Sequence, residues 1–213
     1  MIDEIKPYLN FTQLLVVLTF CYFLITWQSR NKLQRILLFI LAFDFMAELL
    51  NLIFLVNKKT ILIGIVYSFM SIIQNSLWIL IMYRALRRDY LQLVLTGYLV
   101  FSLLNLFFYE GFEKFNHYTF IVGALLYIII FIYESTVLLK QENLSFLLSN
   151  NYLLLASPIV FMMGLIILIS FNSRILNSAI VFNGMPLYNI IGYFTNFIYY
   201  SMLLVYCYRV KRR

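Results

Sequence analysis

Runs of about twenty apolar residues, broken by short polar connectors, fill almost the whole of this 213-residue chain. They extend from about Phe11 to Gln28, Ile36 to Val56, Ile61 to Tyr83, Leu91 to Tyr109, Tyr118 to Leu139, Tyr152 to Phe171 and Tyr188 to Tyr208. A helix rises about 1.5 Å per residue, so about 20 residues cross a hydrocarbon core of about 30 Å. Each run meets or approaches that length. Open strand edges leave backbone groups unsatisfied in lipid, so the spans are expected to be helices. The pattern predicts an all-α, polytopic membrane protein, a seven-transmembrane-helix bundle.

Polar residues inside these runs carry the next layer of information. In the second run Asp44, Glu48 and Asn51 fall at i, i+4 and i+7, on one helical face. An acid near the middle of a span costs at least about 2.5–3.5 kcal/mol on insertion scales, so this face should look into the bundle or a cavity. The third run carries Gly64, Ser68, Ser71 and Asn75 on one face, the small and hydrogen-bonding residues that close helix packing in lipid favours. The last run repeats this with Asn189, Gly192 and Asn196, and the fifth places Glu134 on a face shared with Gly123 and Tyr127. Asp44, Glu48, Asn51, Ser71, Asn75, Glu134 and Asn196 are therefore the candidate polar core or ligand site. No Lys or Arg lies in the middle of any run. Two acids one turn apart repel, and desolvation favours the neutral form, so at least one of Asp44 and Glu48 is expected to be protonated.

Composition agrees: 63% of residues are hydrophobic and 12% charged, against about 25% charged in soluble domains. Ten residues precede the first run and five follow the last, so residues 1–213 read as a single membrane domain with no soluble domain. Asp3 and Glu4 stand where a cleavable signal would be basic.

The net charge of +7 is placed by topology. With the N-terminus outside, the cytoplasmic side receives eleven basic residues: Arg30, Lys32, Arg35, Arg84, Arg87, Arg88, Lys140, Arg209, Lys211, Arg212 and Arg213. The outer side keeps five: Lys6, Lys58, Lys59, Lys114 and Arg174. The positive-inside rule then sets the N-terminus outside and the C-terminus in the cytoplasm, in the cell (inner) membrane. Arg84, Arg87 and Arg88 mark a surface for anionic lipid or a partner, and nucleic acid is not an expected partner.

The connectors Asn57–Thr60 and Arg84–Tyr90 make the second, third and fourth spans antiparallel neighbours. The longer connector Asn172–Leu187 reads as an outer lid or a plain turn, and Pro158 as a kink in the sixth span. Cys21 and Cys207 sit at different depths and are expected to be unpaired.

Several chemistries are disfavoured. Lys211 is the first lysine after the sixth run, so the last helix lacks a retinal-binding lysine in its middle. The single histidine, His117, cannot build a bis-histidine haem or a histidine-cluster zinc site, so no metal or cofactor is expected. Neither a Ser-His-Asp set within the membrane nor a Gly-rich phosphate loop is present.

The acidic segment DFMAELLN, the basic connector YRALRRDY, the glutamate in FIYESTVLLK and the Asn-rich YNIIGYFTNFIYY resemble short seven-span bacterial membrane proteins often encoded beside sensor histidine kinases. The resemblance implies a sensing or accessory role and carries over no ligand or catalytic residue. The expected function is non-enzymatic sensing or signal relay through a membrane or cytoplasmic partner, with a homo-oligomer open. The alternatives are a small transporter or channel using the Asp44–Glu48 region, a membrane effector of a stress or defence system, and an acid-dependent intramembrane lipid hydrolase.

Overall fold

A computed structural model describes residues 10–27, 32–112, 114–170, 179–182 and 184–211. These form α1 (Phe11–Thr26), α2 (Lys32–Val56), α3 (Thr60–Leu86), α4 (Tyr90–Leu104), which runs on through a π-helical turn (Asn105–Tyr109), α5 (His117–Lys140), the single turn α6 (Leu144–Leu147), α7 (Asn150–Ser170), the short strands β1 (Ile180–Phe182) and β2 (Met185–Pro186), and α8 (Leu187–Lys211). The fold is all-α apart from that hairpin. Among the described residues, six helices are long and apolar enough to cross a membrane: α2, α3, α4 with its π turn, α5, α7 and α8. The first differs. α1 has 16 residues and is about 24 Å long, shorter than the hydrocarbon core.

Local chemistry fixes where the helices begin and end. Asn10 caps α1: its side chain accepts from Gln13 N at 3.0 Å, and Gln13 Oε1 accepts from Asn10 N at 3.1 Å. This capping box satisfies two donors that apolar surroundings would leave without water. α3 is closed at its C-cap, Arg87, whose N–H donates to Tyr83 O at 2.8 Å and whose left-handed backbone (φ 55) turns the chain out of the helix. The Glu110 carboxylate accepts from Tyr118 N at 3.1 and 3.3 Å, capping the first turn of α5 with a negative charge.

Pro158 lies inside α7 and removes the N–H that would have bonded Leu154 O. The neighbouring Ser157 hydroxyl donates to that same carbonyl at 2.8 Å, so the helix continues through the proline. Part of the 172–187 connector is the β1–β2 hairpin, with Gly184 at φ 81; residues 171–178 and 183 lie outside the described residues.

The chain divides into two compact units, Met1–Tyr127 and Ile128–Arg213, with the boundary inside α5. In the first, α2 packs against α1 and α3, and α3 against α4. Phe20 stacks on Phe45 at 5.1 Å, and Trp78 meets Tyr127 edge to face at 6.2 Å. In the second unit, α7 packs along α8, with Phe161 stacked on Tyr199 at 5.0 Å.

A β-carbon added at Gly164 of α7 would collide with the Thr195 methyl of α8, so glycine is what lets these two helices approach. The outer surfaces are apolar: Phe39, Met46 and Ile53 on α2, Leu93 on α4 and Ile129 on α5 are each at least half exposed. Water would penalise such a surface, whereas lipid tails accept it.

Candidate functional site

The Asp44–Glu48–Asn51 face of α2 meets α1 and α3. Asp44 is buried, while Glu48 and Asn51 are half-buried. Tyr67, one to two turns into α3, donates its hydroxyl to Glu48 Oε1 at 3.0 Å. The amides of Gln13 and Asn51 lie within hydrogen-bonding reach of the same carboxylate.

Gln13 is 5% exposed, and among the described residues its Nε2 closes no hydrogen bond of full geometry, the Glu48 carboxylate being the acceptor within reach. The capping box fixes how this amide is turned. Its oxygen is committed to Asn10 N, so its N–H groups point away from the cap. Glu48 lies eight residues before the end of α2, about 12 Å along the axis, and Gln13 lies in the first turn of α1.

The small-residue stripe on α3 has different work. Ser68 Oγ lies 2.8 Å from Gly64 O and 3.0 Å from Lys114 O, and accepts from Asn116 N at 3.0 Å. Ser71 Oγ donates to Ser68 O at 2.8 Å. Asn75 Nδ2 donates to the Tyr98 hydroxyl of α4 at 3.2 Å and to Phe120 O of α5 at 3.4 Å. The Tyr98 hydroxyl in turn reaches Thr119 O at 3.4 Å. Asn105 Nδ2, in the π turn, donates to Thr119 Oγ1 at 2.8 Å and to the Glu110 carboxylate. Ser71 and Asn75 thus belong to a network that ties α3, α4 and the start of α5 together. Gly123 sits against Tyr98, where a β-carbon would lie 2.7 Å from Cε2.

In the second unit Asn196 Nδ2 donates to Gly192 O at 2.8 Å, and Thr195 Oγ1 to Ile191 O at 2.9 Å, both within α8. Glu134 is 3% exposed on α5. The structure therefore gathers Asp44, Glu48 and Asn51 with Gln13 and Tyr67, and joins Ser71 and Asn75 in a second cluster. Glu134 and Asn196 lie in the other unit. Sequence pattern alone passed over Gln13, Tyr67, Tyr98, Asn105, Glu110 and Thr119. Only the Asn10-x-x-Gln13 spacing was a visible signal, as a capping box.

Comparison with family models, with curated proteins and with solved structures finds no match.

Among the described residues, no group of three or more His, Cys, Asp or Glu side chains is placed to hold a metal ion. Arg84 is exposed in the last turn of α3, with its Cζ 5.5 Å from the Tyr83 ring centroid, and in the α3–α4 connector Arg87 is exposed and Arg88 half-buried. Lys6, Arg30, Arg174, Arg212 and Arg213 lie outside the described residues.

Proposed function

We propose that this chain is a non-enzymatic, seven-span protein of the cell membrane, N-terminus outside, that relays a signal to a partner through its cytoplasmic basic face. With each apolar helix crossing once, the ends carrying Lys32 and Arg35, then Arg84, Arg87 and Arg88, then Lys140, then Arg209 and Lys211 fall on one side. Lys58, Lys59 and Lys114 fall on the other. The observation that carries the reading is the α3–α4 connector. Its exposed arginines are held in place rather than left on a loose loop: Arg84 stands in the last turn of α3 just before the connector, and Arg87 is the helix C-cap, whose N–H bonds Tyr83 O. Hydrogen bonding also supports a relay over a hydrated pathway in the first unit, since Ser68, Ser71, Asn75 and Asn105 spend their polar groups on neighbouring helices and backbone. Such bonds favour a bundle with few discrete arrangements, the property a relay uses.

The test is the triple variant Arg84→Gln, Arg87→Asn, Arg88→Gln, with asparagine at position 87 because it tolerates a left-handed backbone. Partners captured by in-cell crosslinking from the parent chain are expected to be lost from the variant at equal membrane abundance. Retention of every partner would make this surface a lipid anchor and end the proposal.

A further inference from the structure

The α3–α4 connector holds an acid that does neither of the jobs its place in the chain offers. Asp89 is the N-cap of α4, where an aspartate ordinarily accepts from a backbone N–H of the first turn. Its backbone is helical (φ -64, ψ -30) rather than extended, and its side chain makes no capping bond. Arg87 and Arg88 precede it directly, yet among the described residues the exposed Asp89 carboxylate closes no ion pair with any arginine.

Two of the cations around it are equally available. Arg84 Cζ lies 5.5 Å from the Tyr83 ring centroid, and the Tyr83 hydroxyl accepts from Gln92 Nε2 of α4 at 3.0 Å. Ring and guanidinium are thus steadied across the connector, while the exposed N–H fork of Arg84 meets no carboxylate among the described residues. Arg87 is exposed as well, with its backbone N–H spent on Tyr83 O.

Charges of both signs therefore stand ready on one short connector. An anionic lipid leaflet attracts each arginine and repels Asp89, so a plain lipid anchor would hold better without the acid. A uniformly acidic protein segment meets the same repulsion at Asp89. A segment carrying both signs satisfies every group: carboxylates take Arg84 and Arg87, and a lysine or arginine takes Asp89.

We infer that the partner docks on the α3–α4 connector through a mixed-charge protein segment, with carboxylates on Arg84 and Arg87 and a basic side chain on Asp89. Asp89 then sets specificity, since it disfavours both the bilayer surface and a uniformly acidic chain. This rests on the reading of the connector as a docking surface, and adds the chemistry of what docks there.

The test uses the full chain in cells with p-benzoylphenylalanine at position 90, where Tyr90 is 37% exposed next to Asp89. Irradiation crosslinks whatever covers the connector, and mass spectrometry reads the attached segment. Asp89→Asn is expected to lower capture about threefold, the worth of one exposed ion pair, although it makes the connector more positive. Asp89→Lys is expected to lower it further, and changing the segment's basic residue to Glu to restore capture by that chain. Asp89 makes no cap bond, so both variants are expected to match the parent in membrane abundance. Arg84→Lys keeps the charge but loses the planar fork, and is expected to weaken capture by a similar factor. Equal or greater capture with Asp89→Asn would overturn the inference. So would a captured segment without a basic residue, or a crosslink to phospholipid alone. Capture lost in the Arg84, Arg87, Arg88 triple variant but unchanged in Asp89→Asn would leave the docking surface standing and remove only this partner chemistry. Capture unmoved by the triple variant would remove both.

Discussion

The Tyr67 hydroxyl and the Glu48 carboxylate, 19 positions apart in sequence, meet at 3.0 Å and join α3 to α2. Hydrogen bonds between membrane helices contribute on average about 0.6 kcal/mol and at most about 1.7 kcal/mol. Tyr67→Phe is therefore expected to lower stability within that range, measured by unfolding in mixed micelles. In a Glu48→Leu background the same substitution is expected to cost nothing, since its partner is gone. Equal costs in both backgrounds would place the tyrosine hydroxyl's contribution elsewhere.

Packing between α7 and α8 rests on Gly164, where a β-carbon would meet the Thr195 methyl group. Gly164→Ala is expected to destabilise by about 1–3 kcal/mol through overpacking. Thr195→Ser removes the offending methyl and keeps the hydroxyl that bonds Ile191 O. The double variant should therefore recover most of the loss. Gly97 has open space around its missing β-carbon, so Gly97→Ala should be neutral or stabilising and serves as the control.

Ser157 and Pro158 act as a pair on one carbonyl. Ser157→Ala leaves Leu154 O without the hydroxyl that now bonds it at 2.8 Å, an expected loss of about 0.6 to 1.7 kcal/mol. Adding Pro158→Ala restores a backbone N–H to that carbonyl and should return the stability. A Ser157→Ala chain that melts with the parent would show that the proline has no need of its neighbour.

Spacing shows the α2 face readily, because i, i+4 and i+7 place Asp44, Glu48 and Asn51 together whatever surrounds the helix. The long helices are legible for a similar reason, since lipid imposes their length. Partners are another matter. Tyr67 is one of 17 tyrosines, and nothing in its local sequence separates a hydroxyl aimed at Glu48 from one at the membrane interface. Asn105 sits in an apolar run that continues unbroken to Tyr109, so the π turn that directs its amide to Thr119 and Glu110 leaves no trace in hydropathy. Gln13 marks a helix start, and its second role depends on where α2 passes. The 16-residue length of α1 was also hidden, because Trp27 continues the apolar run beyond the last helical residue.

The crossing of α1 decides whether the chain spans the membrane an odd or an even number of times, and with it the side on which every basic residue lies. The most direct measurement is labelling with a membrane-impermeant maleimide in intact cells, using single cysteines in a chain whose Cys21 and Cys207 have been replaced. Lys6→Cys, Lys59→Cys and Met185→Cys are expected to react from outside, while Gln141→Cys and a cysteine appended after Arg213 react only after permeabilisation. Protection at position 6 with reaction at position 59 would leave six crossings, put both termini in the cytoplasm and contradict the seven-span account.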